Sequence, residues 1–521
     1  MKRIVALLTE PFTKNLHHFV AIFVLIATFN LLIYIDKRYT TFTLCLFGHD
    51  FVLAYLATAI IPFLPYQLIR KIYLVVLYIV CICYFLLGTF LYIVMHMNAN
   101  CDFIYTMMET NPSEASEFLS TFVNGKVLVI GFGVPALLLL ISRWISRNKK
   151  GYKIRRLIGM PLLAVSTFCF AYNHTVWPDG ILGVIYPFFT YEPYPDFSQF
   201  QTHPRLAFGE RSPKDIVIII GESETRKYCS LYGYEKPTKP RLGKLRDDSL
   251  LFVFPNVTSP AARTAKVFMH LLNTSRPEDR GGKKWYEETS LFEVARISGY
   301  RSVWLSNQSK NGVFDNLVGH ISELSDTAVF IGNRYAGLDR NGSLDGDLIP
   351  VLRDMMSNNT RQPSQLTIIH LMGSHEAFEV RYPSEFKAFT SSDYLQYPEN
   401  QRETRANYDN SILYNDYVVS EIMSLFSEHE AVVFYFSDHG LDIYDTDPEY
   451  AGHSDTDFSL QIPFVVYTSP AFQQQFPALV ERIKKSQNRQ FRIDDLIYTV
   501  MDVAGISFED NDDVARYSLF R

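Results

Sequence analysis

Acidic and histidine side chains follow several short apolar runs in the second half of this chain. Glu222 comes just after the run at 216–220, and Asp438 with His439 comes just after the run at 432–436. Carboxylate oxygens and imidazole nitrogens are the donors that suit a Zn²⁺ or a Mn²⁺ ion. The order Ser-Asp-His-Gly directly after an apolar run therefore predicts that Asp438 and His439 are metal ligands. For Glu222 taken alone, a charge at a helix N-terminus and a metal ligand are equally good interpretations.

Other polar residues accompany the remaining apolar runs. Asn307, Gln308, Lys310 and His375 each come shortly after such a run, and His453 lies in the sequence Ala-Gly-His-Ser. Taken alone, His375 and His453 are typical of ordinary loop histidines. His370 falls inside a run, which indicates a place in the core or behind the site.

Three hydroxyl residues are candidates for a nucleophile. Thr258, Ser259 and Thr264 lie in the stretch 257–266, whose pattern indicates a loop that enters a helix. A hydroxyl is a weak nucleophile near neutral pH, but a bound Zn²⁺ stabilises the alkoxide and a helix N-terminus helps to hold phosphoryl oxygens. Each of the three could equally cap the helix, so this pattern alone leaves the nucleophile open.

The elements that position these groups follow from the hydrophobic pattern. Short runs rich in β-branched residues predict strands at 216–220, 250–254, 302–306, 367–371, 432–436 and 463–467. Amphipathic stretches predict helices at 285–298, 348–357, 405–426 and 493–504. Continuous apolar strands separated by helices predict an α/β domain whose mostly parallel sheet is flanked by helices on both faces. Ligands bind beyond the carboxyl ends of such strands, so the polar residues are expected to converge on one edge of the sheet.

The first third of the chain has a different composition. The whole chain is only 20% charged, against about 25% in a typical soluble domain, and its long apolar runs are concentrated near the N-terminus. A helix needs about 20 apolar residues to cross a bilayer. Apolar segments predict an α-helical membrane domain of five transmembrane helices: 19–35, 51–69, 72–94, 127–142 and 157–176. His49 and Asp50, just before the second segment, are expected at the outer interface.

Lysine and arginine residues set the predicted orientation. They occur near the N-terminus, at 70–71 and above all at 143–156, and such loops stay in the cytoplasm. The acidic loop 98–126 then faces the other side, as does everything after about residue 176. The predicted organisation is a transmembrane domain (1–176), a Pro- and aromatic-rich interfacial linker (177–212) and a catalytic domain outside the cytoplasm (213–521).

Net charge and cysteine content exclude two further properties of the protein. A net charge of -6 excludes an obvious nucleic-acid binder. Of the six cysteines only Cys229 lies after residue 212, so the outer domain has no internal disulfide.

The order and spacing of the motifs resemble those of the membrane-bound phosphoethanolamine transferases of the alkaline phosphatase/sulfatase superfamily. Beyond the five spans, the motifs that carry the resemblance are Glu109–Glu114, Gly221–Arg226, Leu231–Arg241, Arg263-Thr264, Ser306–Ser309, His370–His375, Ser437–Gly440 and Gly452-His453. The branch they are most similar to modifies periplasmic glucans or lipopolysaccharide core. The resemblance implies a bacterial inner-membrane protein with a sulfatase-like catalytic domain in the periplasm.

Roles for individual residues also follow from the resemblance. It implies that Thr264 is the nucleophile and carries a phosphoethanolamine intermediate. It implies these ligands for one tightly bound Zn²⁺, in preference to Mn²⁺: Glu222, Thr264, Asp438 and His439. It implies a substrate-binding set, whose two histidines bind the transferred phosphate or a second zinc ion: His375, His453, Asn307 and Lys310. The donor would be phosphatidylethanolamine, the acceptor a lipid or glycan hydroxyl, and the protein a monomer in the bilayer.

Other activities remain as alternatives. A glycerophosphate transferase of the lipoteichoic-acid-synthase type has the same five-span plan and a threonine nucleophile, and differs by its donor. A simple phosphohydrolase would transfer the group to water, and a non-catalytic membrane scaffold would keep the fold without turnover. Sulfatase activity is disfavoured, because Cys229 lies in Cys-Ser-Leu-Tyr-Gly and not in the C/S-x-P-x-R motif that formylglycine formation needs.

Overall fold

The chain forms two compact units in a computed structural model, the first ending at Glu192 and the second beginning at Pro193. The structure describes residues 8–36, 40–95, 99, 103–104, 107–108, 125–147, 152–172, 179–192, 194–278, 282–310, 317–332, 343–357, 364–454 and 456–521. The predicted linker 177–212 is therefore divided between the two units. The motif Glu109–Glu114 lies outside the described residues.

Long apolar helices make up the first unit. Their bounds are α1 (Leu16–Asp36), α2 (Thr40–Ala59), α3 (Gln67–Met95), α4 (Gly125–Arg147), α5 (Tyr152–Tyr172) and α6 (Ile181–Thr190). The first five are long and apolar enough to cross a membrane, which confirms the five predicted spans. Helix α2 packs against both α1 and α5, and aromatic rings fill the space near the start of the bundle, where Phe19 meets Phe12 and Phe51 edge to face.

A buried polar network joins helices α1, α2 and α3. His49 and Asp50 are 1% and 0% exposed. Asn30 donates from Nδ2 to Asp50 Oδ2 at 3.0 Å, and Tyr84 donates to Asn30 Oδ1 at 2.6 Å. Helix α2 begins at Thr40. His49 and Asp50 therefore lie well inside this helix, whereas the sequence pattern predicts a place just before its start. Ionisable groups among membrane helices are held by polar partners on neighbouring helices. A prediction of spans from runs of uncharged residues does not detect such partners.

A seven-stranded sheet forms the centre of the second unit. The strands of this unit are β1 (Leu206–Phe208), β2 (Asp215–Gly221), β3 (Leu251–Val253), β4 (Val257–Thr258), β5 (Arg301–Ser306), β6 (Thr327–Phe330), β7 (Gln365–His370), β8 (Ala431–Ser437), β9 (Asp442–Ile443), β10 (Ala451–Gly452), β11 (Phe464–Thr468), β12 (Phe491–Arg492) and β13 (Ile506–Phe508). The order in the large sheet is β3-β11-β8-β2-β7-β5-β6. Neighbours from β8 to β6 are parallel, and β11 is antiparallel to both β8 and β3. The sheet is thus mixed and mostly parallel, as predicted.

Helices cover both faces of this sheet. They are α7 (Pro240–Asp247), α8 (Thr264–Leu271), α9 (Leu291–Ile297), α10 (Leu317–Ser322), α11 (Leu348–Ser357), α12 (Glu399–Leu425), α13 (Asp457–Leu460), α14 (Pro470–Gln475), α15 (Pro477–Lys485), α16 (Leu496–Val503) and α17 (Asp513–Tyr517). Successive residues of a strand point to opposite faces. Along β2, Ile216 and Ile218 therefore join the core that contains α8, while Val217 and Ile219 join the core that contains α12. Burial on both faces explains why β2 is a continuous apolar run.

Candidate active site

Glu222, Asp438 and His439 meet because they follow two neighbouring parallel strands. The register pairs Gly221 at the end of β2 with Ser437 at the end of β8. The Asp438 N–H donates to the Gly221 carbonyl at 3.0 Å, which holds the two chain turns together. Donor atoms of Glu222, Asp438 and His439 lie within 4.8 Å of one another, and all three residues are buried.

Thr264 is the first residue of helix α8, and its hydroxyl faces this cluster. Its Oγ1 lies 3.1 Å from Glu222 Oε2 and 3.3 Å from His439 Nε2. Ser259 instead donates its hydroxyl to a carbonyl of its own loop at 2.8 Å, and Thr258 lies in the short strand β4. Among the three hydroxyl candidates, the structure brings Thr264 to the carboxylates. The free N–H groups of a helix start favour anionic groups at this position.

The donor set fits a zinc ion. Asp438 Oδ2 is buried and accepts no hydrogen bond from the described residues. His439 Nδ1 lies 2.9 Å from the Gly440 carbonyl, so we assign the ring proton to Nδ1, which leaves the Nε2 lone pair directed toward Glu222 at 3.2 Å. Histidines that bind metals commonly donate their second nitrogen to a carbonyl in this way. Two carboxylates, one imidazole and one hydroxyl form a donor set that suits Zn²⁺.

The charges of the cluster also favour a cation. Burial raises the pKa of Asp438 to about 7, and the negative charge of Glu222 adds to this shift. Burial alone would lower the pKa of His439, but the carboxylates of Asp438 and Glu222 outweigh it and raise that pKa to about 9. Without a metal the cluster therefore retains protons near neutral pH, and a divalent cation would neutralise the same carboxylates in their place.

Strained backbone aims the Glu222 carboxylate. Ser223 has a φ of +62°, in the left-handed region that few residues other than glycine adopt. Its hydroxyl donates to Glu222 Oε1 at 2.8 Å. Tyr408 of α12 donates to the Ser223 carbonyl at 2.8 Å and accepts from the Thr225 N–H at 2.9 Å. These hydrogen bonds hold the turn in its unusual conformation.

Gln308 also reaches the cluster. Its Nε2 donates to Glu222 Oε2 at 3.1 Å. The two predicted substrate-binding residues that flank Gln308 make other contacts. Asn307 is only 3% exposed, and the Lys310 ammonium lies 2.9 Å from Glu323 at the surface. The contacts of the described residues thus bring Gln308 to the carboxylate, and substrate binding by Asn307 and Lys310 stays a prediction.

Both predicted histidines lie beside the cluster. The ring centroid of His453 is 4.8 Å from that of His439, and its Nδ1 lies 3.0 Å from a backbone carbonyl just before α8. His375 has a buried Nδ1 without a hydrogen-bond partner among the described residues. Its loop is tied to the site, since the Ser374 N–H donates to the Glu222 carbonyl at 2.9 Å. Phosphate or metal binding by these two histidines stays a prediction.

Asp345 holds the loop that carries His375. Its carboxylate accepts the Gly373 N–H at 2.8 Å and the Asn307 amide at 2.8 Å. Gly373 has a φ of +54°, and a Cβ at this position would lie 2.6 Å from the Glu222 carbonyl. A larger residue at this position would push the loop away from the cluster.

Two of these supporting residues were not predicted. Gln308 was among the polar residues expected at this edge, because it comes two positions after the predicted strand 302–306. Asp345 and Tyr408 carried no such signal, because their roles depend on hydrogen bonds to backbone groups, which impose no sequence pattern.

Comparison with known proteins places this site in a family. The family model described as Sulfatase matches residues 214–506, more than half of the chain. The phosphoethanolamine transferase EptC of Escherichia coli is 26% identical over 465 residues, covering 81% of this chain and 78% of that protein. The phosphoethanolamine transferase CptA of Salmonella typhimurium is 25% identical over 466 residues, with the same two coverages of 81% and 78%.

Solved structures agree with these relatives. The C-terminal periplasmic domain of EcEptC from Escherichia coli, crystallised in complex with Zn, is 26% identical, with a TM-score of 0.55 over 61% of this chain and 89% of that chain. The integral membrane protein lipooligosaccharide phosphoethanolamine transferase A from Neisseria meningitidis shares the fold, with a TM-score of 0.70 at 17% identity over 96% of this chain and 98% of that chain. The chain belongs to the sulfatase family, and its resemblance to the membrane-bound phosphoethanolamine transferases is confirmed.

Proposed function

We propose that this chain transfers phosphoethanolamine from phosphatidylethanolamine to a hydroxyl group of an envelope glycan or glycolipid. Thr264 is the nucleophile. The observation that carries the proposal is the position of its Oγ1, 3.1 Å from Glu222 Oε2 and beside the Asp438–His439 pair. The names of the curated relatives support the identity of the transferred group.

The first step forms a phospho-threonine. Thr264 Oγ attacks the phosphorus of the donor, and the bond from phosphorus to the diacylglycerol oxygen breaks. Glu222 Oε2 lies within hydrogen-bond distance of Oγ1 and holds the hydroxyl in position. The leaving diacylglycerol oxygen takes up the proton that the threonine gives up. The N–H groups at the start of α8 would help to hold the phosphoryl oxygens.

The second step returns the enzyme to its starting state. The acceptor hydroxyl attacks the phosphorus of the phospho-threonine, and the bond to Thr264 Oγ breaks. The proton of the acceptor passes to the threonine oxygen, so the hydroxyl of Thr264 is regenerated. The product is a phosphodiester between ethanolamine and the acceptor.

Zinc completes this site. A Zn²⁺ held by Glu222, Asp438, His439 and the Thr264 hydroxyl would lower the pKa of that hydroxyl and neutralise charge on the phosphoryl group. The zinc complex of the EcEptC domain supports this metal over Mn²⁺. The donor set described here accounts for one ion, and His375 with His453 would bind the transferred phosphate or a second ion.

The location of the substrate fits the membrane unit. Phosphatidylethanolamine lies in the same bilayer that helices α1–α5 would cross. We place the chain in the bacterial inner membrane, as a monomer, with the second unit in the periplasm. The likeness of that unit to a periplasmic domain supports this location.

Replacing Thr264 tests the nucleophile. We expect Thr264→Ala to lower transfer from phosphatidylethanolamine by at least about 1,000-fold, because no hydroxyl remains to accept the group. Thr264→Ser keeps a hydroxyl and is expected to retain activity and the covalent intermediate. The readouts are transfer of labelled headgroup in lipid vesicles and mass spectrometry of the trapped protein. Full activity of the alanine variant would show that another residue, such as Thr258 or Ser259, is the nucleophile.

Replacing Asp438 tests the metal. Asp438→Asn removes a negative charge and one oxygen donor, so we expect zinc affinity to fall by more than about 100-fold. The measurement is zinc content and competition with a chelating dye, with the exposed Asp247→Asn as control. Absence of bound zinc in both wild type and variant would favour the non-catalytic scaffold. If the wild type takes its group from phosphatidylglycerol only, it is a glycerophosphate transferase.

A further inference from the structure

The site holds a third carboxylate that the two transfer steps do not use. Glu376 directly follows His375 in the loop after β7 and is half-buried. Its backbone carbonyl accepts a hydrogen bond from Arg381 Nη2 at 2.8 Å. Its carboxylate makes no hydrogen bond or ion pair with any residue in the part of the chain that the structure describes.

The position of Gly452 brings this carboxylate to the histidine side of the cluster. A Cβ on Gly452 would lie 2.9 Å from Glu376 Oε1, so the carboxylate lies next to this glycine. The next residue is His453, whose ring lies 4.8 Å from the ring of His439. Glu376 is nevertheless absent from the group of donor atoms that lie within 4.8 Å of one another among the described residues. It is therefore a neighbour of the candidate metal ligands and not one of them.

The surroundings of the Glu376 carboxylate leave room for a cation. Arg381, in the same loop, donates to the backbone carbonyl of Glu376. The hydroxyl of Tyr450 also lies close, because a Cβ on Gly452 would be 2.5 Å from it. A half-buried carboxylate is stabilised when a hydrogen-bonding cation reaches it.

The transferred group brings such a cation. Phosphoethanolamine carries a primary ammonium two carbon atoms from the oxygen on its phosphorus. The phosphorus must reach Thr264, which lies beside Glu222 and His439. A carboxylate next to the same cluster then lies on the side where the short ethanolamine arm can extend. An ammonium offers three N–H donors to carboxylate oxygens.

We propose that Glu376 binds the ammonium group of the transferred phosphoethanolamine and makes the site selective for a primary amine. This inference rests on the proposed function. A donor whose headgroup is uncharged, such as phosphatidylglycerol, would desolvate Glu376 without supplying a partner. Leaving a buried polar group unpaired is an effective way to reject a competing substrate.

Two donors and two variants test the proposal. The full-length chain is assayed in vesicles with phosphatidylethanolamine and with its N-acetyl derivative, which is uncharged at nitrogen. We expect Glu376→Gln to lower kcat/KM for phosphatidylethanolamine by about 10- to 100-fold, mainly through KM, because one charge-assisted hydrogen bond is weakened. Turnover of the N-acetyl donor is expected not to fall, because the variant leaves no carboxylate charge unpaired against an uncharged headgroup. Glu379→Gln, an exposed carboxylate three residues later, is the matched control and is expected to change neither.

The outcomes separate this proposal from the proposed function. Equal losses on both donors, or an unchanged kcat/KM for phosphatidylethanolamine, would overturn the role of Glu376 in amine binding. A lower zinc content in Glu376→Gln would overturn it too, because it would make Glu376 a metal ligand. Failure of the proposed function is seen in the wild type alone, as transfer from phosphatidylglycerol and none from phosphatidylethanolamine.

Discussion

His370 is a titratable residue locked in the core behind the site. It is 0% exposed, and neither ring nitrogen has a hydrogen-bond partner among the described residues. Its ring packs against Phe268 and Trp304, with centroid distances of 5.1 and 5.9 Å. Burial lowers its pKa from 6.5 to about 4, so the unfolded chain binds this proton more tightly than the folded protein. The stability that neutral His370 contributes is present above pH 6.5 and is lost as the pH falls toward 4.

Replacing His370 by phenylalanine should remove this pH dependence. His370→Phe keeps an aromatic ring in the core and deletes two unpaired nitrogens. Between pH 6.5 and 4 we expect the variant to lose less unfolding free energy than the wild type, with a difference of up to about 3 kcal/mol. The measurement is thermal unfolding of the purified chain across this range. His203→Asn, at an exposed histidine with a φ of +49°, is the control; parallel profiles for wild type and His370→Phe would contradict the argument.

At the residue scale, the sequence indicated the candidate metal ligands more readily than the residues that hold them in position. Glu222, Asp438 and His439 were selected because a ligand at the carboxyl end of a strand needs donor atoms of a recognisable type. Tyr408 and Asp345 act on backbone carbonyls and N–H groups, which every residue has. The type of a residue far away in the sequence does not show that it binds such a backbone group. These contacts could therefore be identified only from the structure.

At the scale of elements, strands were easier to predict than helix ends. All six predicted strands are present, since each is a buried apolar run, whereas β6 was missed because this short edge strand is half-exposed. The predicted helix 285–298 is two elements, a turn at Trp285–Glu287 and α9. Ser290 explains the break: its hydroxyl accepts the Glu293 N–H at 3.1 Å and caps α9.

Helix α12 is expected to control the metal site through one hydroxyl. Tyr408→Phe would leave the Ser223 carbonyl and the Thr225 N–H, both buried, without their hydrogen bonds of 2.8 and 2.9 Å. We expect a loss of about 1–3 kcal/mol in unfolding free energy and a zinc affinity lower by about 10- to 100-fold. Tyr382→Phe is the matched control, because it loses a buried hydrogen bond of 2.8 Å to Asn407 in the same unit. Unchanged zinc affinity in Tyr408→Phe would show that α12 does not position Glu222.

At the scale of the whole molecule, composition predicted the two classes of fold but not their details. The five spans follow from length and hydropathy, and the α/β unit follows from the alternation of runs. The start of α2 at Thr40 was not predicted, because Asp50 is accommodated by Asn30 of a neighbouring helix. The strand order β8-β2-β7-β5 brings Glu222 and Asp438 together. This order was not predicted, because an alternation of strands and helices is compatible with several strand orders.

The orientation of the chain in the membrane decides which leaflet supplies the donor. Five spans place the two ends of the membrane unit on opposite sides, and seven basic residues at 143–156 predict that the connection between α4 and α5 is cytoplasmic. A reporter enzyme that is active only outside the cytoplasm should therefore be active when fused after Arg521 and inactive when inserted at residue 149. Replacing all seven basic residues by glutamine is expected to lower the first activity and raise the second, because these charges set the orientation. Activity at residue 149 in the wild-type background would place the candidate metal site in the cytoplasm and restrict the enzyme to donors and acceptors of the inner leaflet.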